Sequence, residues 1–257
     1  MRCRLATFCA CLPLWILSWT APGLAGPWAR QAGEGFLAFS ITSDSPTTGL
    51  ITGDMQFDSY AGLYGEYGLG HRLTLGAQFG HSETAEDGVI FLRYTLTPPD
   101  ATWQFALDAG AGQRIEPGRP DRQLARLGLS IGRGFGGGDL PLWPGRSHHG
   151  GWVTIDATGL YDTNSSDLIW AVEGTIGLSL TDRWRVLLQA KVEEWPDADT
   201  SHSLMPGLAY ALTDRTTLQI GARLQLGRTH TWGRRTWENQ TWGIETWGIG
   251  AGLWHNF

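Results

Sequence analysis

From about residue 34 to its end, the chain alternates apolar and polar positions with a period of two, interrupted by turn residues every ten to fifteen positions. Side chains alternate faces along a strand, so this pattern specifies strands with one apolar and one polar face. Twelve segments carry it. The third, near 72 to 82, sets Leu73, Leu75, Ala77 and Phe79 against Thr74, Gly76, Gln78 and Gly80. The fourth, near 88 to 97, carries Ile90, Leu92, Tyr94 and Leu96, and the sixth, near 122 to 133, carries Ala125, Leu127, Leu129 and Ile131. The eleventh presents Leu218, Ile220, Ala222, Leu224 and Leu226, and the last, 246 to 257, presents Trp247, Ile249, Ala251, Leu253, His255 and Phe257.

The connections alternate as well. Four of the five that follow even-numbered strands are tight turns, such as Thr181-Asp182-Arg183 and its near copy Thr213-Asp214-Arg215. The longer ones, 44 to 58, 113 to 121, 195 to 203 and 228 to 245, all follow odd-numbered strands. Gly134 to Gly151 breaks the rule, as either a short plug or a sign of two uncounted strands. Aromatic residues at strand ends, among them Trp103, Trp184, Tyr94, Tyr161 and Tyr210, suit two interfacial girdles and turn the apolar face toward lipid.

Residues 1 to 25 have the form of a signal peptide. Arg2 and Arg4 precede a mostly apolar run from Leu5 to Trp19, and Gly23-Leu24-Ala25 supplies small residues for cleavage after Ala25. That run is too short for a comfortable membrane helix, which takes about 20 residues. Cys3, Cys9 and Cys11 all lie within the leader, so the exported chain, 26 to 257, has no thiol and no disulfide. Cys9 and Cys11 suit a lipoprotein poorly, since more of the apolar run follows each. Loss of Arg2 and Arg4 leaves 17 of the 19 basic residues against 25 acidic, a net charge of −8, which argues against a nucleic-acid partner.

The closing strand, ending in Phe257 after apolar residues at alternate positions, resembles the last strand of Gram-negative outer-membrane β-barrel proteins, with His255 where that family usually has Tyr or another bulky apolar residue. The likeness of leader, Gly-rich alternating strands and terminal Phe257 extends over the entire mature chain. It implies an all-β fold, a transmembrane antiparallel up-and-down β-barrel of about 12 strands, ten to fourteen being compatible with the pattern. It also implies an outer-membrane location, contact with outer-membrane lipid and lipopolysaccharide, and insertion by the barrel assembly machinery with Phe257 as assembly signal. In size and texture the chain is similar to the barrels grouped with the phenol meta-pathway transporters, which implies passage of small hydrophobic or aromatic compounds. No discrete motif carries that narrower likeness.

The face opposite the apolar one carries Glu66, Arg93, Asp108, Arg126, Asp156, Glu173, Arg185, Lys191, Glu193 and Arg223. These candidate lumen-lining residues comprise five acids and five bases. They would either close the lumen with salt-bridge ladders or line a polar conduit, and their balance argues against strong ion selectivity. Trp232, Trp237, Trp242 and Trp247 each follow a Thr at five-residue spacing. An odd spacing in one continuous strand sends successive rings to opposite faces, so part of this run is expected in an extracellular loop. Its tryptophans, Trp232, Trp237 and Trp242, would serve as girdle residues or as an aromatic platform for sugar or lipopolysaccharide.

Other motifs carry less. Gly132 to Gly137 fits the dinucleotide fingerprint literally, but Asp139-Leu140-Pro141 stands where a helix is needed. His148-His149 has no third metal ligand nearby, and Asp162, Asn164 and Asp167 suit a turn as well as weak calcium binding. No cofactor or metal is implied. Outer-membrane phospholipase is a twelve-stranded barrel with Ser, His and Asn at its rim. Ser147-His148, Ser201-His202-Ser203 and His255-Asn256 bring such residue types together without its His-x-Ser-Asn context. The expectation is a non-enzymatic passive channel or uptake pore for small molecules. A closed structural or adhesive barrel and a lipid-modifying hydrolase are the alternatives.

Overall fold

The computed structural model describes residues 26–139, 147–196, 200–229 and 241–257. The proposed leader, Trp232 and Trp237, and residues 140–146 of the long sixth-to-seventh connection lie outside these. The described strands are β1 (Gly35–Pro46), β2 (Asp58–Gly70), β3 (Leu73–Ser82), β4 (Glu86–Thr95), β5 (Gln104–Ile115), β6 (Arg122–Phe135), β7 (Gly138–Asp139) and β8 (Ser147–His148). They continue as β9 (Gly151–Asp162), β10 (Leu168–Ser179), β11 (Trp184–Glu194), β12 (Ser201–Ala211), β13 (Thr216–Thr229) and β14 (Thr241–Asn256). One short helix, α1 (Thr47–Thr52), follows β1.

All strands but β7 and β8 form one closed barrel of twelve, each antiparallel to its neighbours. Pairing of β1 with β14, from Phe36 opposite Asn256 to Pro46 opposite Thr246, makes the seam. Phe257 extends it: its N–H donates to the Gly35 carbonyl at 3.0 Å and its carbonyl accepts from Gly35 N–H at 2.8 Å. The start of β1 and the end of β14 lie together at one end of the barrel. The turn between β2 and β3 at that end is two residues long, and both of them, His71 and Arg72, adopt positive φ, at 51° and 64°. Two-residue hairpins need such geometry to match the strand twist.

The long connection after β6 does not hide two more barrel strands. β6 pairs directly with β9, and β7 and β8 pair only with each other as a separate two-stranded sheet. Its residues Gly136 to Asp139 are exposed, so this described part does not enter the lumen. The last strand begins at Thr241, five residues before the alternation suggests, and a bulge between Gln225 and Leu226 of β13 shifts its register. Trp242 and Trp247 therefore both belong to β14, and the bulge breaks the continuous alternation on which the parity argument rests.

The faces are sorted as in a membrane barrel. Leu37, Phe39 and Ile41 of β1, Ile90 and Leu92 of β4, and Leu127 and Leu129 of β6 are exposed on the outside, Leu127 by 70%. Thr42, Thr74, Thr95, Thr175, Gln189 and Gln219 are buried inside. An apolar belt around the whole wall is far larger than the patches that soluble proteins tolerate, so lipid is its solvent. Tyr94, Trp103, Trp184 and Tyr210 flank the belt at the end bearing the termini, with the Trp184 and Tyr210 rings 4.7 Å apart. Tyr161 stands at the other end, so the five named aromatics divide unevenly between the two rims.

Leu129→Arg at mid-belt is expected to cost about 2–4 kcal/mol in lipid vesicles. Leu50→Arg in α1, outside the belt, is expected to stay within about 0.5 kcal/mol of wild type. Urea unfolding from vesicles measures both, and equal costs would remove the argument that lipid meets this face.

Candidate functional site

The ten inward charges predicted from alternation all take inward positions, and the structure divides them. Cross-strand register sets Arg93 of β4 directly opposite Asp108 of β5. Glu66 of β2 reaches the same place across β3 because its neighbour there is Gly76, and a side chain at that glycine would run into the Phe91 ring. Arg93 Nη1 donates to Glu66 Oε1 at 2.5 Å, Arg126 Nε donates to Asp108 Oδ1 at 2.7 Å, and Arg93 Nε lies 3.9 Å from Asp108 Oδ2. The Tyr64 hydroxyl also donates to Glu66. The Arg93 and Arg126 guanidinium groups lie 5.3 and 4.5 Å from the Phe91 ring centre, within cation–π range.

A second group stands across the lumen. Glu173 of β10 is flanked in register by Asp156 of β9 and Lys191 of β11. Lys191 pairs with Glu193, and Gln189 Nε2 donates to Glu173 Oε1 at 2.9 Å. Arg223 Nη1 reaches Asp44 Oδ2 at 3.0 Å across β14, where Gly248 leaves the space. Arg185 sits apart on the inward register near the end bearing the termini, without an ion-pair partner among the described residues.

Several members escaped the sequence reading. Asp44, Asp87 and Arg114 occupy inward positions at strand ends, where the turn composition hides the period. Arg114 lies 3.7 Å from Asp87, donates to Glu116 at 2.7 Å and stacks 4.5 Å from the Trp195 ring centre. The hydrogen bond from Arg114 holds the Glu116 carboxyl below its usual range, against a smaller opposing effect of desolvation. Because that pKa is lowered on folding, this contact contributes above the ordinary glutamate range and is lost only as pH falls through the depressed value.

Most unexpected is the segment before β1, which turns into the barrel. Gly26 and Pro27 are buried there. Arg93 Nη1 donates to the Gly26 carbonyl at 3.0 Å, Thr95 Oγ1 donates to the Pro27 carbonyl at 2.8 Å, and Arg30 Nε donates to Glu66 Oε2 at 2.6 Å. Two inward glycines make room. A Cβ at Gly68 would lie 1.9 Å from the Gln31 carbonyl oxygen, and one at Gly132 would lie 2.8 Å from the Trp28 ring. Phe36, Tyr64, Phe91, Leu187 and Trp254 pack as a buried cluster in the same region of the lumen. Above them lies a polar cavity of about 420 Å³, with Gly26 in its floor and Tyr60, Asp87, Arg114 and Trp195 toward the loop end.

The remaining sequence candidates lie elsewhere. Asp162 Oδ1 accepts the Asn164 N–H at 2.9 Å, and Ser165 Oγ lies 2.9 Å from Asp162 Oδ2 and 2.7 Å from Asp167 Oδ2, so Asp162, Asn164 and Asp167 build a turn. His149 Nδ1 lies 3.0 Å from Asp182, and His148 Nδ1 accepts the Gly150 N–H at 3.1 Å. His255 Nδ1 lies 3.0 Å from Thr216 Oγ1 at the end bearing the termini.

Removing one partner from a buried ion pair leaves an uncompensated charge, at a cost of about 3–5 kcal/mol. Glu66→Gln is expected to destabilise the barrel by about that amount, and Arg30→Gln made in addition to add less than it does alone. Urea midpoints of the single and double variants measure this coupling, and strictly additive costs would separate Arg30 from the network.

The sequence matches no protein-family model and none of the curated proteins. Solved structures do match. A KdgM porin superposes with a TM-score of 0.53 at 6% identity, over 86% of this chain and 99% of its own. A KdgM porin in complex with disordered oligogalacturonate gives 0.52 at 8% identity, over 86% and 99%. A NanC porin in a rhombohedral crystal form gives 0.51 at 11%, over 84% and 98%. With so little identity the likeness is one of architecture: this chain has the closed antiparallel barrel fold of outer-membrane porins.

Proposed function

We propose that this protein is an outer-membrane uptake channel for small polar solutes, held shut in the conformation described by its own N-terminal segment. The observation that carries the reading is the polar cavity at the loop end, floored by Gly26, which Arg93 holds. Charged lining of both signs offers hydrogen-bonding partners to a polar solute without expelling either ion type. Five basic and four acidic residues line the cavity, which supports weak ion preference.

The leader at residues 1 to 25, recognition of Phe257 by the assembly machinery, and contact of the loop end with lipopolysaccharide belong to this reading. Support for the second comes from the seam, where Phe257 closes the pairing with Gly35. Enzymatic lipid turnover forms no part of the reading. His148 Nδ1 engages a backbone N–H and His255 Nδ1 a threonine hydroxyl, and a hydrolase needs a nucleophile, a base and a group that orients the base.

Single-channel recording in planar bilayers tests the proposal. The refolded mature chain should open rarely, and a chain beginning at Ala32, which lacks the inserted segment, should show an open fraction at least about tenfold higher, the effect of removing only about 1.4 kcal/mol of closing interactions. A folded truncated barrel that stays silent would sink the channel reading.

A further inference from the structure

We infer that the lumen contains a built site for a primary ammonium group, made by the Asp156 carboxylate with Ser130 and Thr154, and that its ligand is the new N-terminus at Gly26. The inference rests on the proposed cleavage after Ala25 and on the inserted segment. Hydrolysis of the Ala25–Gly26 peptide bond by a signal peptidase consumes one water, leaving a carboxylate on Ala25 and a primary amine on Gly26. That amine takes up a proton at neutral pH. An amide with one N–H thereby becomes a cation with three donors, inside the barrel.

Charge balance points to Asp156. The carboxylates grouped around the buried segment and the cavity above it are Glu66, Asp108, Asp156, Glu173 and Glu193, and the cations are Arg30, Arg93, Arg126 and Lys191, the last paired with Glu193. Glu66 holds Arg30 and Arg93, and Asp108 holds Arg126 with Arg93 nearby. Ser130 of β6 stands directly opposite Asp156, and Thr154 shares its face of β9, but Asp156 has no cation within ion-pair distance among the described residues. It stands directly opposite Glu173, and like charges at such a position repel. One further cation equalises the group.

Position supplies the second argument. Gly26 and Asp156 line the same cavity. A methyl group at Gly26 would lie 3.3 Å from Thr154 Cγ2, and Thr154 shares the inward face of β9 with Asp156, two residues on. Arg93 fixes the Gly26 carbonyl, and Glu66 and Asp108 beside it weaken its repulsion of the ammonium. Seating of the segment is then completed only in the processed chain, because the precursor carries no charge at this point.

The mature chain has two amines, the α-amine of Gly26 and Lys191 Nζ, so the test is clean. The refolded chain, its N-terminus verified by intact mass, is reductively methylated with carbon-13 formaldehyde and titrated by NMR. The α-amine should titrate at least about one unit above the ordinary value of about 7.7–8.0 and return toward it in Asp156→Asn. A chain with one alanine added before Gly26 keeps Asp156 but moves the ammonium, and should lose most of the shift. It carries the test where Asp156→Asn fails to fold. An ordinary titration in wild type, an equal one in both variants, or a natural N-terminus other than Gly26 would overturn the inference. A silent bilayer would instead overturn the channel reading and leave this titration unaffected.

Discussion

Closure of β1 onto β14 is the constraint on which everything else rests. A strand in hydrocarbon has no water to satisfy its N–H and C=O groups, and an open sheet would leave two edges of them unpaired. Eleven register pairs from Phe36–Asn256 to Pro46–Thr246 remove both edges, and Phe257 adds a further pair of hydrogen bonds at the rim. Once the ring is closed, each strand has a lipid face and a lumen face. The period of two then decides which residues meet which solvent.

Inside the ring, space and charge are handled together. Bulky side chains would fill a lumen of this size without any inserted segment. Here Gly68, Gly76 and Gly132 stand on the inward face, and the room they leave is taken by the Gln31 backbone, the Phe91 ring and the Trp28 ring. Arg93 then reaches Glu66 and Gly26 at once. A buried ion pair adds little net stability against an apolar substitute, but it demands a particular geometry. The Arg30–Glu66–Arg93–Asp108–Arg126 series thus fixes where the segment lies, and the upper part of the lumen remains a polar cavity.

Much of this was legible in advance. Twelve alternating segments mapped onto twelve barrel strands, and all ten inward charges took the face that parity assigns. Misses cluster where periodicity fails. Asp44, Asp87 and Arg114 lie at strand ends among turn residues, so their inward parity was hidden. Gly26 to Arg30 has no alternation, because it is held by contacts to six different strands and forms none itself. The run from Gly134 to Gly151 reads as a plug or a miscount because length alone cannot tell a separate two-stranded sheet from either.

Strand number, the division of every strand into two faces and the placement of charge on one of them were determined by the sequence itself, because they follow from local alternation. Three things were decided only by tertiary structure: the register that sets Arg93 against Asp108, the ring closure that brings Asp44 to Arg223, and the return of Gly26 into the barrel. Each joins residues far apart in the chain. Their meeting depends on strand stagger and closure summed around the whole barrel, a geometric property that no local window of sequence contains.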